Sequence, residues 1–278
     1  MKGTRLLFRL TCAALLAGLL APLATAKKLT PEAVTAFHRY VALTEQRMAA
    51  DVSTGRFLWI EGLPAGQREA AYARLQRGEV VIERLETRDS GQRAVPVPDG
   101  MIHHWLGVVF IPGASLAKTI AFLQDYDNQY KNYAPEVERS KLLSRSGNDF
   151  KIYLRLRRKK VVTVVLNTEY VVHYAILGGD RATARSYSTR IAEVQNAGQQ
   201  DEAEKPVGND DGFLWRLNSY WRFWEKDGGV YVQLEAISLT RDIPAGLGWL
   251  VHPFITSIPK ESLAFTLGRT REALCCRP

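Results

Sequence analysis

The 278-residue chain contains only three cysteines, and their positions limit what they can do. Cys12 lies in an apolar run near the N-terminus, while Cys275 and Cys276 are adjacent near the C-terminus. Two adjacent cysteines cannot join distant chain segments, so the sequence excludes a fold held together by a disulfide framework.

Motifs that mark catalytic or metal centres are also missing. The chain has no H-E-x-x-H, C-x-x-C or G-x-S-x-G motif and no glycine-rich phosphate loop. His103 and His104 are adjacent, and in a strand their rings point to opposite faces, so they cannot bind one metal together. Ser257 and Lys260 have the S-x-x-K spacing, but Ser257 also suits the N-cap of a helix. We assign no catalytic residue and expect no metal and no cofactor.

Charge and composition indicate a globular chain with a basic excess. Lys and Arg number 37 against 29 Asp and Glu, and 46% of the residues are hydrophobic. This balance excludes a disordered chain. A mildly basic protein suits an anionic membrane surface as well as a nucleic acid.

Residues 1–26 have the pattern of a cleaved secretory signal. Basic residues come first, an apolar run from Leu10 to Leu20 follows, and Ala24-Thr25-Ala26 precedes Lys27. An uncleaved anchor is the alternative. We expect export to the periplasm or the medium with cleavage near Ala26, and for that reason we expect no nucleic-acid partner.

The hydrophobic period divides the remaining chain in two. Residues 27–78 are predicted to form a helical extension. Residues 79–278 show two strands, a short helix, about six consecutive antiparallel strands and a long C-terminal helix. A sheet of this length curls, and Leu263 and Leu267 give the last helix an apolar stripe that fits the concave side. We predict an α+β fold with a tunnel between sheet and helix.

Several strings in this order resemble the START-like (SRPBCC) helix-grip superfamily, which includes polyketide cyclase-like and coenzyme Q-binding proteins. They are FIPGASLAKTIAFLQDYDNQYKNYAPEV at 110–137, YSTRI at 187–191, GGVYVQLEAISLTRDIP at 228–244 and PFITSIPKESLAFTL at 253–267. The resemblance covers residues 79–274. It implies a curved antiparallel sheet wrapped around the C-terminal helix and a cavity for an apolar small molecule or lipid.

Strand alternation selects candidate ligand contacts. Trp215 and Trp221 share one parity in an aromatic strand, which indicates either a tunnel wall or a packed core. Arg190 and Glu235 are charged residues in apolar strands, so they either pair with each other or hold the polar end of an amphiphile. The predicted ligand-binding residues are Tyr170, Tyr174, Arg190, Trp215, Trp221, Glu235, Leu263 and Leu267.

The connection after the first helix of the predicted sheet domain carries three tyrosines. Tyr126, Tyr130 and Tyr133 are predicted to form a lid at one end of the cavity, with ordinary loop packing as the alternative.

The sequence therefore favours an exported binding protein that holds a hydrophobic or amphipathic small molecule, with transient contact to a membrane surface. One alternative is a cyclase- or dehydratase-type enzyme that uses Glu235, Tyr174 and Arg190 in the same cavity. The other is an envelope interaction module whose cavity is filled by Trp215, Trp221 and Leu267.

Overall fold

The N-terminal segment folds into helices, as the hydrophobic period predicts. The computed structural model describes residues 28–160, 162–242 and 248–275, so the signal predicted over residues 1–26 lies outside it. Helix α1 spans Pro31–Ser53 and begins after Thr30, whose hydroxyl accepts a hydrogen bond from the Ala33 amide at 3.1 Å. A 3-10 turn at Trp59–Gly62 and helix α2 at Ala65–Gln76 follow.

Nine strands among the described residues form one antiparallel sheet. The strands are β1 Val81–Arg84, β2 Gly100–Pro112, β3 Val137–Ser146, β4 Asp149–Lys159, β5 Thr163–Ile176, β6 Arg181–Gln195, β7 Ala203–Glu204, β8 Arg216–Lys226 and β9 Gly229–Arg241. Their spatial order is β1-β2-β9-β8-β6-β5-β4-β3, and β7 pairs with the end of β6. The predicted strands are therefore all present, and the short β7 lies in the connection between β6 and β8.

The remaining helices connect and cover the sheet. Helix α3 spans Leu116–Gln124, a 3-10 turn spans Tyr126–Asn128, and the single-turn helix α4 spans Gln129–Asn132. Helix α5 spans Gly248–Cys275. Because α5 begins at Gly248, Ser257 lies inside the helix and does not form the predicted cap. Cys276 lies outside the described residues. None of the described helices is long and apolar enough to cross a membrane.

The two faces of the sheet have different covers. The inner face packs against α5 and α3 through an apolar cluster that includes Val109, Phe223, Val232, Leu263 and Leu267. On the outer face, α1 packs against β8 and β9 through Phe37, Tyr220 and Ile237, while the 3-10 turn and α2 pack against β1 and β2. The central strands are therefore buried on both faces, which decides where each candidate ligand contact lies.

Candidate ligand-binding site

A cross-strand row with three small side chains at its centre crosses the middle of the inner face. The strand register places Trp105, Ala236, Ser219, Ser186 and Val172 side by side on β2, β9, β8, β6 and β5. Ala236 is only half-buried although Glu235 and Ile237 beside it are fully buried on the outer face. Ser186 and Ser219 are half-buried as well. The accessible space at this row therefore lies on the inner side, next to α5.

Apolar side chains surround this row and are themselves half-buried. They are Leu142, Leu154, Leu217 and Trp221, together with Trp105 in the row itself. Trp221 stacks on Phe223 with a ring-centroid distance of 6.0 Å. We call the row and this rim the inner-face depression. Its partly exposed aromatic and aliphatic walls, with serine hydroxyls at the floor, suit an apolar ligand with one polar end.

Next to the depression the helix and the sheet are in tight contact. Gly107 of β2 faces α5, and a Cβ atom built there would lie 2.5 Å from Leu267 Cδ1 and 3.2 Å from Leu263 Cδ2. Leu263 and Leu267 are buried, and Leu267 has no exposed area. At this point the helix is seated directly on the sheet, so these two leucines fix α5 beside the depression.

The two predicted tyrosines of β5 lie on the inner face. Tyr170 and Tyr174 are buried in the same apolar cluster as Leu263. Burial raises the pKa of the Tyr170 phenol to about 12 and raises that of Tyr174 well above its usual value. Both hydroxyls are therefore neutral hydrogen-bonding groups over the physiological range.

The tyrosines of the predicted lid are mostly built into the core. The Tyr126 hydroxyl lies 2.9 Å from the Tyr174 hydroxyl, and the Tyr133 hydroxyl lies 2.8 Å from Thr270 Oγ1 on α5. Tyr130 is 40% exposed. Tyr126 and Tyr133 connect the segment between α3 and β3 to the sheet and to α5, so any movement of this segment has to break these contacts.

Trp215 does not line the inner face, contrary to the prediction. It lies in a bend before β8 and packs in the outer-face cluster with Phe37 and Leu239. Its ring nitrogen donates a hydrogen bond to Asp210 Oδ1 at 2.9 Å. The parity that joins Trp215 to Trp221 holds only in a continuous strand, and the bend interrupts it.

Arg190 also lies on the outer face. A bulge opposite Glu169 and Tyr170 inserts Thr189 between Ser188 and Arg190, so Ser188 keeps the inner face and Arg190 turns to the other side. There Arg190 forms an ion pair with Glu204 of β7, and both side chains are about one-third exposed. The predicted pairing of Arg190 with Glu235 is therefore wrong.

Glu235 is buried on the outer face beneath α1. Its Oε1 lies 2.7 Å from His104 Nε2 and also contacts the Arg47 guanidinium. His104 Nδ1 lies 2.9 Å from the Tyr40 hydroxyl, which accepts a hydrogen bond from the Thr87 amide at 2.8 Å. Because the carboxylate only accepts, Nε2 of His104 donates to it and Nδ1 accepts from Tyr40. This chain of contacts fastens the N-terminal extension to the sheet and does not face the depression.

The two adjacent histidines face opposite sides, as predicted. His104 is on the outer face, and His103 Nε2 lies 3.0 Å from Thr240 Oγ1. Among the residues that the structure describes, no three His, Cys, Asp or Glu side chains are grouped so as to hold a metal ion.

The sequence analysis missed a charged group at one end of the inner face. Arg158 has the inner parity of β4 and contacts Glu136 and Glu261, the latter on α5 with an Nη2–Oε2 distance of 3.2 Å. Burial lowers the pKa of the Arg158 guanidinium, and its Nε makes no hydrogen bond to a described residue. Lys160 also pairs with Glu261, at 2.6 Å. This cluster ties α5 to the end of β4.

The serines of the depression were missed as well, although the sequence contains their signal. Ser186, Ser188 and Ser219 occupy positions whose neighbours of the same parity are apolar, such as Ala184 and Trp221. A small polar residue at such a position leaves space at the sheet surface instead of filling it.

The strand order and the long C-terminal helix decide the fold assignment. The chain has a START-like helix-grip fold. Scans find no matching protein-family model and no matching curated protein.

Several solved structures match this chain at low sequence identity. The STAR-related lipid transfer protein from Xanthomonas axonopodis is 17% identical, with 69% of this chain and 98% of that chain covered and a TM-score of 0.45. Human STARD10 is 10% identical, with 76% and 81% covered and a TM-score of 0.43. The Zhui aromatase/cyclase from Streptomyces is 10% identical, with 63% and 94% covered and a TM-score of 0.42.

Proposed function

We propose that this protein binds a hydrophobic or amphipathic small molecule, such as a lipid, between the sheet and α5. The observation that carries the proposal is the inner-face depression, where Ala236, Ser219 and Ser186 stay half-buried next to the buried apolar cluster. Transfer of apolar surface from water to these walls drives binding. The serine hydroxyls and the buried Tyr170 hydroxyl supply the few polar contacts that orient the ligand.

The polar end of an amphiphile is assigned to Arg158. Arg158 and Phe150 both have the inner parity of β4, and Phe150 lies in the same cross-strand row as Val172 and Ser186. Eight residues of extended strand separate them, or roughly 26 Å. Leu154 and Leu156, which are half-buried, lie between. A long-chain amphiphile spans such a distance.

Entry of the ligand requires α5 or the tyrosine-bearing segment to move. Leu267 is seated on Gly107, and Glu261 joins α5 to Arg158 and Lys160. The protein would carry its ligand in the periplasm or the medium and exchange it at a membrane surface. The signal pattern of residues 1–26 supports export, and the net basic charge supports contact with anionic lipids.

The rival functions differ in how well the contacts suit them. An acid–base enzyme would need Glu235 and Arg190 beside Tyr174, but the first two lie on the outer face and Tyr174 on the inner face. A structural module with a filled core is favoured by one observation, the seating of Leu267 on Gly107. It remains the second candidate.

The test is uptake of an environment-sensitive apolar dye by protein stripped of lipid with organic solvent. Ser219→Leu fills the floor of the depression, and we expect it to weaken dye binding at least tenfold, since a leucine side chain occupies space that the ligand needs. Thr189→Leu adds the same side chain at an exposed position and should bind dye as the wild type does. Absence of saturable uptake by stripped wild-type protein would leave the structural module. If the stripped wild-type protein takes up dye, native mass spectrometry of protein purified from its own envelope identifies the natural ligand.

A further inference from the structure

The outer face of β3 to β6 carries a groove that the proposed binding cavity does not use. Its volume is about 300 Å³. The strand register forms it from two cross-strand rows of outward side chains. One row contains Ser144, Lys151, Val171 and Tyr187, and the other contains Ser146, Asp149, His173 and Arg185. Asp149 Oδ1 lies 2.7 Å from His173 Nδ1, so the acidic member of the groove already has a partner.

Positive charge is concentrated on the hairpin of β3 and β4, whose turn end forms one side of this groove. Nine of the residues from 137 to 160 are Lys or Arg, and two are acidic. Four of the nine form ion pairs, namely Arg155, Arg157, Arg158 and Lys160. The other five form no ion pair with a described residue, namely Arg139, Lys141, Arg145, Lys151 and Lys159. Arg185 on β6 forms no ion pair with a described residue either. The hairpin of β3 and β4 thus presents uncompensated cations beside hydroxyl groups.

Exposed apolar side chains lie at the same end of the sheet. The Tyr174 amide donates to the Asn148 carbonyl at 3.0 Å, which places the β3–β4 turn next to the end of β5. Ile176, the last residue of β5, and Leu177 are 57% and 46% exposed, and Leu143, at a bulge in β3, is 47% exposed. Cations beside protruding apolar side chains are the combination that binds an anionic bilayer, because the charges attract the surface and the apolar groups enter it.

We propose that this end of the sheet docks on a bilayer of anionic phospholipid. Ile176 and Leu177 enter the interface, and the phosphate of a headgroup occupies the groove between Lys151 and Arg185. The inference rests on the membrane contact of the proposed function and names the surface that makes it. A nucleic acid would satisfy the cations but would leave Ile176 and Leu177 exposed to water, so the apolar pair favours the bilayer.

The experiment is co-flotation of the protein with vesicles of phosphatidylcholine and phosphatidylglycerol in equal parts, compared with phosphatidylcholine alone. We expect binding to the mixed vesicles that falls as salt increases. The triple variant Lys141→Thr, Lys151→Thr and Arg185→Thr removes three cations at exposed strand positions. Each basic residue near an anionic surface strengthens binding about fivefold, so the triple variant should bind about 100-fold more weakly.

A matched control removes the same net charge elsewhere. Arg39→Gln, Arg77→Gln and Arg84→Gln change three exposed cations on α1, after α2 and on β1, and should reduce vesicle binding by less than about tenfold. The double variant Ile176→Ser and Leu177→Ser keeps every charge and should weaken binding at least tenfold while leaving its salt dependence unchanged. Circular dichroism melts confirm that each variant is folded.

The outcomes separate this inference from the cavity proposal. An equal loss of vesicle binding in the triple variant and its control would overturn the docking surface. Displacement of the protein from vesicles by soluble glycerol phosphate would also overturn it, as would a higher affinity of the protein for RNA than for the vesicles. Dye uptake by the inner-face depression is measured in the same variants and should be unchanged. If the wild-type protein binds the mixed vesicles but takes up no dye, the cavity proposal is rejected and the docking surface is retained.

Discussion

The two faces of one sheet bury their side chains for different purposes. On the inner face, apolar residues pack against α5 and leave a depression at Ser186, Ser219 and Ala236. On the outer face, Glu235 and His104 are almost fully buried but take part in a continuous set of hydrogen bonds with α1. Buried polar groups are costly unless every one is satisfied. The fully connected face therefore anchors the N-terminal helices, and the less filled face is the one to which the proposed function assigns the ligand.

The outer face is held by more than one such contact. Glu45 of α1 accepts hydrogen bonds from the hydroxyls of Tyr187 and Tyr220, both at 2.8 Å. Arg222 of β8 donates to the carbonyl oxygens of Phe57 at 2.8 Å and Met48 at 3.2 Å. These contacts join α1 and the segment after it to β6 and β8. The extension is thus a structural cover of the sheet, and changes in it should affect folding before they affect ligand binding.

The largest expected effect comes from breaking the outer face at Glu235. Glu235→Ala removes the partner of His104 and Arg47 and should lower the free energy of unfolding by about 3–5 kcal/mol, because it leaves the buried Nε2 of His104 without an acceptor and removes a carboxylate that the Arg47 guanidinium contacts. Denaturant unfolding followed by circular dichroism measures this. The Glu235 and Arg47 double mutant should be less destabilised than the sum of the singles, whereas Glu235 and Arg190 should add within about 0.5 kcal/mol. Additive losses for Glu235 and Arg47 would contradict the contact.

Strand alternation predicted the faces well wherever a strand is regular. It grouped Tyr170 with Tyr174, and helical spacing separately predicted the apolar stripe of Leu263 and Leu267 on the helix that packs against the sheet. It failed at Arg190, because a single inserted residue at a bulge reverses the face of everything after it. No sequence signal marks that bulge.

The position of Glu235 could not be read from the sequence for another reason. Strand β9 is buried on both faces, so all its residues lie among apolar neighbours and alternation does not say which side holds the cavity. The partner of Glu235 is Arg47, 188 residues away and in the segment that the family resemblance does not cover. Long-range pairing of this kind depends on how the N-terminal helices pack, which local pattern does not contain.

Trp215 and Trp221 are close in sequence but lie on opposite faces of the sheet. Trp215→Ala opens a cavity in the outer face and should lower the free energy of unfolding by about 3–5 kcal/mol without changing dye affinity. Trp221→Ala removes a half-buried wall of the depression and should cost at most about 2 kcal/mol while weakening dye binding. Denaturant melts and dye titrations on both variants give the two measurements. A larger folding loss for Trp221 than for Trp215 would mean that the inner face is a filled core.

A smaller effect is expected where α5 is seated on the sheet. Gly107→Ala places a Cβ atom 2.5 Å from Leu267 Cδ1 and should lower the free energy of unfolding by about 1–3 kcal/mol as the helix shifts outward. The added Leu267→Ala change removes the clash, so the double variant should be less destabilised than the two single losses together. Gly113→Ala is a poor control because of its positive φ, whereas Gly66 on α2 has open space and an ordinary backbone. Gly66→Ala should not destabilise the protein, and an equal loss at Gly66 and Gly107 would contradict the close approach.

The smallest effect concerns Tyr170 on the inner face and changes the pH dependence of the unfolding free energy only at alkaline pH. Burial raises the pKa of its phenol to about 12, above the value near 10 that it has in the unfolded chain. The folded protein therefore holds this proton more tightly, so the stabilisation is complete below pH 10 and is lost as the pH rises to about 12. Tyr170→Phe removes this proton, and its unfolding free energy should fall less steeply than that of the wild type over the same alkaline range. Equal alkaline slopes for Tyr170→Phe and the wild type would show that this phenol is open to solvent, in which case water already fills the part of the inner face that we assign to the ligand.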